Sequence, residues 1–217
     1  MKKKLLNDFL LYLILDREVL DYASLLNVAH KAIKAGIDII QLRDKIGLAK
    51  NTLSLAIKLR KLTKDFQAIF IVNDRIDLAL LSHADGVHLG QDDIPLTKAR
   101  SLLGKEKIIG ISCHNLKESL IAQKEGANYI GLGPVFSTQT KPGFKPIGLD
   151  IISKIKIQLK IPIFAIGGMT VTNITQVLDA GASNIAVCRA ICWQRGAFKA
   201  TKALKKILTH SATSPNA

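Results

Sequence analysis

The segment IIQLRDK, residues 39–45, changes from apolar to charged partway along its length. Ile39 and Ile40 belong to a short aliphatic run, whereas residues 43–45 all carry charged side chains. Short, nearly continuous runs of Ile, Val and Leu are typical of strands that are buried on both faces, as in parallel sheets. The segment therefore predicts a buried strand whose C-terminal end carries polar groups.

The same pattern recurs along the chain. The candidate strands are residues 11–15, 37–42, 68–72, 86–89, 108–112, 129–133, 163–166 and 184–187. Amphipathic helical patterns separate them, and some of these patterns stop near Gly36, Gly126 and Gly181. This α/β alternation predicts a (β/α)8 TIM barrel in a single domain, residues 1–209, with a doubly wound open sheet as the alternative. Residues 210–217 are predicted to form a flexible C-terminal tail.

Polar residues follow most of the predicted strands. The third to seventh strands run into VNDR, HLGQDD, SCHN, GPVFSTQTKPG and IGG, in that order. In a TIM barrel the active site lies at the C-terminal ends of the strands. One polar strand end can be an ordinary loop, but the repetition favours a catalytic face at this end of the barrel.

The chain is strongly basic, because Lys and Arg outnumber Asp and Glu by 31 to 17. A basic surface can attract nucleic acid, anionic lipid or phosphorylated metabolites. The lysines are scattered and do not cluster with aromatic residues, which is typical of solvated helix faces. We therefore expect small-molecule substrates and no nucleic-acid partner.

The predicted location is the cytoplasm. Residues 1–16 resemble a signal peptide, but Asn7 and Asp8 interrupt the apolar run and no cleavage site follows. The cysteines form no C-x-x-C pair, which fits free thiols in a reducing compartment. No apolar stretch reaches the ~18 residues that a membrane span needs, so no membrane contact is expected.

Carboxylates follow two neighbouring strands of the predicted barrel. Asp74 comes after the third strand, and Asp92 and Asp93 come after the fourth. Two carboxylates at one rim, together with substrate phosphates, suit Mg²⁺, which keeps several of its waters. The alternative is helix N-capping, because Asp74 precedes RIDLALL and Asp93 precedes IPLTKARSLL. The residues alone leave both interpretations open.

Two groups of residues are candidates for phosphate binding. Arg43, Lys45 and Lys141 provide positive charge on loops, and Lys141 has hydroxyl neighbours at Ser137, Thr138 and Thr140. Gly167 and Gly168 follow the seventh strand, where barrels often bind phosphate through backbone N–H groups. The alternatives are an exposed turn around Lys141 and a tight turn at the glycines.

The remaining motifs carry less weight. His88 and His114 end strands and could act as a general acid or base, but such histidines are more often structural. The chain lacks the G-x-G-x-x-G and G-x-x-x-x-G-K-[ST] motifs and the G-x-S-x-G elbow. The residues thus predict a barrel enzyme with two phosphate-binding areas and a Mg²⁺ site.

A set of motifs, taken in order, resembles the thiamine phosphate synthase family. They are LYLILD, QLRDK, VNDRIDLAL, DGVHLGQDD, GISCHN, YIGLGPVFSTQTKPG, PIFAIGGM and NIAVCRAI. They extend from the first strand to the eighth, and the combination is much more specific than any one of them. The resemblance implies a Mg²⁺-dependent transferase that joins 4-amino-2-methyl-5-pyrimidinylmethyl diphosphate to a thiazole phosphate. Its products would be thiamine phosphate and diphosphate, with CO₂ also lost from a carboxylated thiazole.

The resemblance also implies roles for individual residues. The strand-2 motif, with Asn73, would bind the diphosphate through Gln41, Leu42, Arg43, Asp44 and Lys45. Asp74 and Asp93 would hold Mg²⁺, and Ser112 and Lys141 would face the same diphosphate. The thiazole phosphate would be bound by Thr138, Gln139, Thr140, Gly168, Cys188 and Arg189. The catalytic residues would be Arg43, Lys45, Ser112 and Lys141.

This chain departs from the family pattern at Cys188 and Arg189. The family usually has a small aliphatic residue at the first position and a small residue such as serine at the second. Two other functions remain open: a thiazole tautomerase of the same superfamily, and a barrel that binds thiazole phosphate without catalysis. A homo-oligomer is also compatible with the sequence.

Overall fold

Parallel strands form a closed barrel in the computed structural model, which describes residues 6–139, 143, 145–193 and 196–212. The strands, in order, are β1 (Leu11–Asp16), β2 (Ile39–Arg43), β3 (Ile69–Asn73), β4 (Gly86–Leu89), β5 (Ile108–Cys113), β6 (Tyr129–Leu132), β7 (Ile163–Ile166) and β8 (Asn184–Val187). Each strand pairs with its neighbours in sequence, and β8 pairs with β1. The (β/α)8 prediction is confirmed, and the open sheet is excluded.

Helices follow the strands around the outside of the barrel. They are α1 (Tyr22–Lys34), α2 (Ala49–Asp65), α3 (Ile76–Leu81), α4 (Leu96–Leu103), α5 (Leu116–Lys124), α6 (Asp150–Lys156), α7 (Ile174–Asp179), α8 (Arg189–Cys192) and α9 (Ala197–Ala212). Gly36 and Gly126 follow α1 and α5 with φ of 93° and 94°, so the predicted helix stops are confirmed there. The segment predicted as a tail, 210–217, overlaps α9, and residues 213–217 lie outside the described residues. No described helix is long and apolar enough to cross a membrane.

Alternate residues of each strand face the helices or the barrel interior. In β1, Leu11, Leu13 and Leu15 pack into the large apolar layer beneath the helices. Tyr12 lies instead in a smaller interior cluster, together with residues such as Ile39 of β2 and Phe164 of β7. Because side chains alternate along a strand, the polar residues near the C-terminal ends share the interior face with this cluster.

Two glycines make room for aromatic rings inside the barrel. A Cβ atom on Gly110 of β5 would lie 2.0 Å from Cζ of Tyr129, and one on Gly131 of β6 would lie 3.1 Å from Cε1 of His88. Any larger residue at Gly110 would therefore displace the Tyr129 ring. The two glycines allow Tyr129 and His88 to lie side by side, with ring centroids 5.5 Å apart.

The buried carboxylate of Asp38 connects several elements at the N-terminal end of the barrel. Asp38 accepts hydrogen bonds from the backbone N–H groups of Leu10 and Leu11 through Oδ2, at 3.0 and 2.9 Å. The same oxygen forms an ion pair with Lys205 of α9. The last helix is thus linked to the strand that begins the barrel.

Substitution of Lys205 by methionine should lower the free energy of unfolding by about 1–2 kcal/mol, because it removes a charge-assisted contact from a largely buried carboxylate. For a chain of this size the melting temperature should fall by about 2–8 °C. Lys206→Met, at an exposed position of the same helix, is the control. Equal melting temperatures for the two variants would contradict a stabilising role for the pair.

Candidate active site

A cavity of about 470 Å³ opens at the C-terminal end of the barrel. This volume lies within the range of small-molecule sites, about 300–1,000 Å³. Several residues implicated by the sequence line it, namely Gln41, Arg43, Asn73, Ser112, Thr138, Gln139, Gly168, Cys188 and Arg189. The polar strand ends therefore do converge on one concave site.

The predicted carboxylate pair forms at the rim between β3 and β4. The side chains of Asp74 and Asp93 lie within hydrogen-bonding reach of each other, and Lys45 makes an ion pair with Asp74. Burial and the neighbouring Asp93 raise the pKa of Asp74, although Lys45 acts in the opposite direction. Two carboxylates held this close repel each other unless a proton or a cation lies between them.

The N-capping interpretation of these aspartates is wrong. The residue before α3 is Arg75, the residue before α4 is Pro95, and neither helix has a side-chain cap. Asp74 has a φ of 58°, in the left-handed region, which is uncommon outside glycine and is found at functional sites. Asp93 accepts a hydrogen bond from the Gly90 N–H at 2.6 Å, within its own loop.

Arg43 is held by carboxylates of the adjacent strand. The register places Asp16 opposite Arg43, and Nη1 donates to Oδ2 of Asp16 at 2.7 Å and to Glu18. Burial acts to lower the pKa of Arg43, but the hydrogen bonds and charges of Glu18 and Asp16 outweigh it and raise the pKa. The guanidinium is therefore a fixed positive group in the cavity wall.

The other members of the strand-2 motif lie in different environments. Gln41 is buried inside the barrel, where Nε2 donates to the Tyr12 hydroxyl at 2.6 Å. The side chain of Leu42 packs in the layer beneath the helices, away from the cavity. Asp44 organises its own loop by accepting hydrogen bonds from the N–H groups of Ile46 and Gly47. Of the motif, Arg43 and Gln41 line the cavity, whereas Lys45 contacts Asp74, and neither Lys45 nor the two aspartates is among the lining residues.

The opposite wall is built by the loops after β6 and β7. A Cβ atom on Gly168 would lie 2.5 Å from the carbonyl oxygen of Ser137, so the absence of a side chain lets the two loops touch. Thr138 and Gln139 line the cavity beside them. Thr140 and Lys141, predicted to bind substrate, lie outside the described residues.

Arg189 lies at the rim after β8. Its guanidinium carbon is 3.9 Å from the ring centroid of Trp193, and its nitrogens contact the side-chain and main-chain oxygens of Gln139 at 3.3 and 3.5 Å. The side chain thus bridges the loop after β6 and the short helix α8. Cys188 lines the cavity, and a contact with Cys192 together with burial raises the pKa of its thiol, which is therefore protonated.

Comparisons with known proteins agree with this geometry. Residues 11–191 match the family model described as thiamine monophosphate synthase. The chain belongs to the thiamine monophosphate synthase family. The resemblance seen in the motifs is thereby confirmed, and membership makes the chain an enzyme of the transferase class.

Relatives in the family cover most of the chain. A protein from Clostridium acetobutylicum named thiamine-phosphate synthase is 43% identical over 184 residues, which is 85% of this chain and 87% of the relative. One of the same name from Shouchella clausii is 45% identical over 197 residues, 90% and 94% of the two chains. The solved thiamine phosphate pyrophosphorylase from Pyrococcus furiosus superposes with a TM-score of 0.86 at 37% identity, covering 94% of this chain and 98% of that one.

Several residues that line the cavity of this synthase family member were not predicted from the sequence. They are Tyr12, Ile14, Asp16, Tyr129, Phe164, Ile166 and Trp193. His88, treated as more often structural, also lines the cavity. Tyr12 and Tyr129 are polar aromatic residues in strands that are otherwise aliphatic. Because side chains alternate along a strand, their positions could have placed them on the interior face of the barrel.

Proposed function

We propose that the chain joins 4-amino-2-methyl-5-pyrimidinylmethyl diphosphate to a thiazole phosphate, giving thiamine phosphate and diphosphate. The observation that carries this proposal is the pair Asp74 and Asp93, beside Lys45, directly after the strand whose Asn73 lines the cavity that also holds Arg43. A site that binds only thiazole phosphate has no need of this concentration of charge at the opposite rim.

The diphosphate would lie between β2 and β5. Arg43 and Lys45 would supply positive charge, and Asn73 and Ser112 would supply hydrogen bonds from the cavity wall. Asp74 and Asp93 suit Mg²⁺, because both are oxygen donors and this ion is usually bound by one or two carboxylates together with substrate phosphates. When bound, Mg²⁺ would neutralise charge on the diphosphate.

The thiazole phosphate would lie at the wall made by the loops after β6, β7 and β8. Gly168, Cys188 and Thr138 line the cavity, where two backbone N–H groups and a hydroxyl would meet the phosphate. Lys141, as a cation near the leaving diphosphate, and Thr140, as a hydroxyl for the thiazole phosphate, remain predictions because neither residue is among those described.

The chemistry needs electrostatics more than an enzyme nucleophile. Loss of diphosphate leaves a cation that the electron-rich aminopyrimidine can delocalise, and the thiazole nitrogen then attacks it. Arg43 and Lys45 would stabilise charge on the departing group. Ile14, Phe164 and Ile166 line the interior of the cavity with apolar surface, which would keep water from the cation.

One experiment separates this function from its alternatives. The purified chain is incubated with both substrates and Mg²⁺, and thiamine phosphate and diphosphate are measured. The synthase predicts equal amounts of both products, and none when either substrate is omitted. Isomerisation of the thiazole without coupling would identify a tautomerase, and saturable binding without turnover would identify a binding barrel.

Arg189→Ser should change the dissociation constant of thiazole phosphate by less than about threefold, or ~0.7 kcal/mol. The guanidinium already contacts Trp193 and Gln139, so we expect the backbone after β8 to serve the phosphate. Calorimetric titration of both proteins measures the effect. Binding weakened about tenfold or more would show that the Arg189 side chain contacts the thiazole phosphate directly.

The cytoplasm is the proposed location, because both substrates are phosphorylated metabolites and the enzyme class acts on small molecules. A homo-oligomer remains a proposal that sedimentation would test.

A further inference from the structure

A chain of hydrogen bonds links residues on five strands of the barrel, at the wall of the cavity. Gln41 contacts the Tyr12 hydroxyl at 2.6 Å, and that hydroxyl lies 2.9 Å from the hydroxyl of Tyr129. The Tyr129 hydroxyl lies 3.0 Å from Nδ1 of His88, and Nε2 of His88 lies 3.0 Å from Oγ of Ser112. All five residues of this hydrogen-bond relay line the cavity, and the relay ends at Ser112.

The first link sets the direction of the relay. The amide nitrogen of Gln41 can only donate, so the Tyr12 oxygen accepts. Tyr12 and Tyr129 are 2% and 0% exposed, which leaves the Tyr12 proton with the Tyr129 oxygen as its partner. Leaving a buried hydroxyl proton unpaired would destabilise the folded state.

The donors and acceptors of the other two hydrogen bonds are assigned in the same way. Because Tyr129 accepts from Tyr12, its own proton goes to Nδ1 of His88. The neutral imidazole then carries its proton on Nε2 and donates to Oγ of Ser112. Burial raises the pKa of Tyr12, and burial together with Tyr12 raises that of Tyr129, so both phenols keep their protons.

We propose that His88 is a positioning residue whose Nε2–H turns the Ser112 hydroxyl into a hydrogen-bond donor directed into the cavity. In the reverse direction Ser112 would donate to His88 and present only lone pairs to a ligand. A donor suits an anion, and lone pairs repel one. The assignment of that anion as the diphosphate rests on the proposed function, whereas the direction of the relay does not.

The surrounding packing holds the relay in place. The His88 and Tyr129 rings stack with an interplanar angle of 30°, in the space left by Gly110 and Gly131. Tyr129 also meets Phe164 edge-on at 5.3 Å between centroids. The hydroxyl and imidazole groups therefore have little freedom to exchange partners, and a fixed donor needs no reorganisation when a ligand binds.

The first test reads the tautomer of His88 without any substrate. Nitrogen NMR of protein labelled in its 5 histidines distinguishes protonated from unprotonated ring nitrogens, and His88→Gln assigns the signals of His88. We expect a proton on Nε2 and a free lone pair on Nδ1. The opposite tautomer would overturn the proposal whatever reaction the protein catalyses.

The second test is a double-mutant cycle on turnover with both substrates and Mg²⁺. Tyr129→Phe should lower kcat by about tenfold with a smaller change in KM, as expected for one lost hydrogen bond. In a Ser112→Ala background the same change should have an effect below about twofold, because the relay acts through Ser112. Equal effects of Tyr129→Phe in the two backgrounds would overturn the proposal.

Controls separate the relay from general damage. Thr201→Val removes a buried hydroxyl of α9 that does not line the cavity, and it should leave kcat unchanged. His88→Gln keeps an amide donor for Ser112, so it should retain more activity than His88→Leu, and equal loss in the two would count against a donor role. If the parent makes no thiamine phosphate, the proposed function fails while the NMR result still decides the relay.

Discussion

Asp74→Asn should lower kcat/KM for thiamine phosphate formation by about 10²–10³-fold at a Mg²⁺ concentration that saturates the parent, the loss expected on removing one electrostatic stabiliser. The substitution preserves the shape of the side chain and its contact with Asp93, but it removes one of the two negative charges that favour a cation at this rim. Part of the activity should return as the Mg²⁺ concentration is raised.

Asp92→Asn is the matched control, because Asp92 is exposed and lies beside Asp93 in the same loop. It should show the parent's Mg²⁺ dependence. Calorimetric titration of Mg²⁺ in the presence of inorganic diphosphate measures the affinity for the metal without turnover. An unchanged Mg²⁺ dependence in Asp74→Asn would remove Asp74 from the metal site.

Arg43→Met should lower the free energy of unfolding by about 3 kcal/mol, because it leaves the carboxylate of Asp16 without its partner. The side chain of Asp16 is 0% exposed and that of Arg43 is 12% exposed, and the hydrogen bond that Oδ1 of Asp16 keeps from the Glu18 N–H, at 3.0 Å, brings no positive charge. For a chain of this length the melting temperature should fall by about 6–12 °C. Thermal unfolding followed by circular dichroism, without substrate, separates this effect from any role in binding.

A second substitution tests the cause of that loss. Asp16→Asn in the Arg43→Met background removes the unpaired charge and should restore at least half of the lost stability. If the double variant is as unstable as the sum of the two single variants, the cost lies in packing around the methionine and not in the buried charge.

The strands could be predicted because each is a short aliphatic run, and such runs need both faces covered. Ile163–Ile166 and Asn184–Val187 were predicted with the bounds that the structure shows. The Asp74 and Asp93 pair could be anticipated for a related reason, since consecutive strands of a parallel barrel end at the same rim. Here topology alone brings the residues together.

The pairing of Arg43 could not be predicted, because it depends on the register between β1 and β2. The residue pattern of each strand does not indicate that Asp16 lies opposite Arg43. The contact of Tyr12 with Tyr129 crosses the barrel and joins residues 117 apart in sequence. Its geometry depends on the space left by Gly110, which a pattern of apolar residues does not record.

The closure of the barrel by β1 and β8 has a consequence for synthesis of the chain. Leu11 pairs with Ile185, so the strand of the barrel that is made first receives its second neighbour from the strand that is made last. Until then the nascent sheet keeps an unpaired edge of aliphatic residues, the kind of surface that joins other chains or recruits chaperones. Contacts between strands so far apart in sequence are also slow to form. The yield of folded enzyme should therefore depend more on protecting that edge during translation than on the stability of the finished barrel.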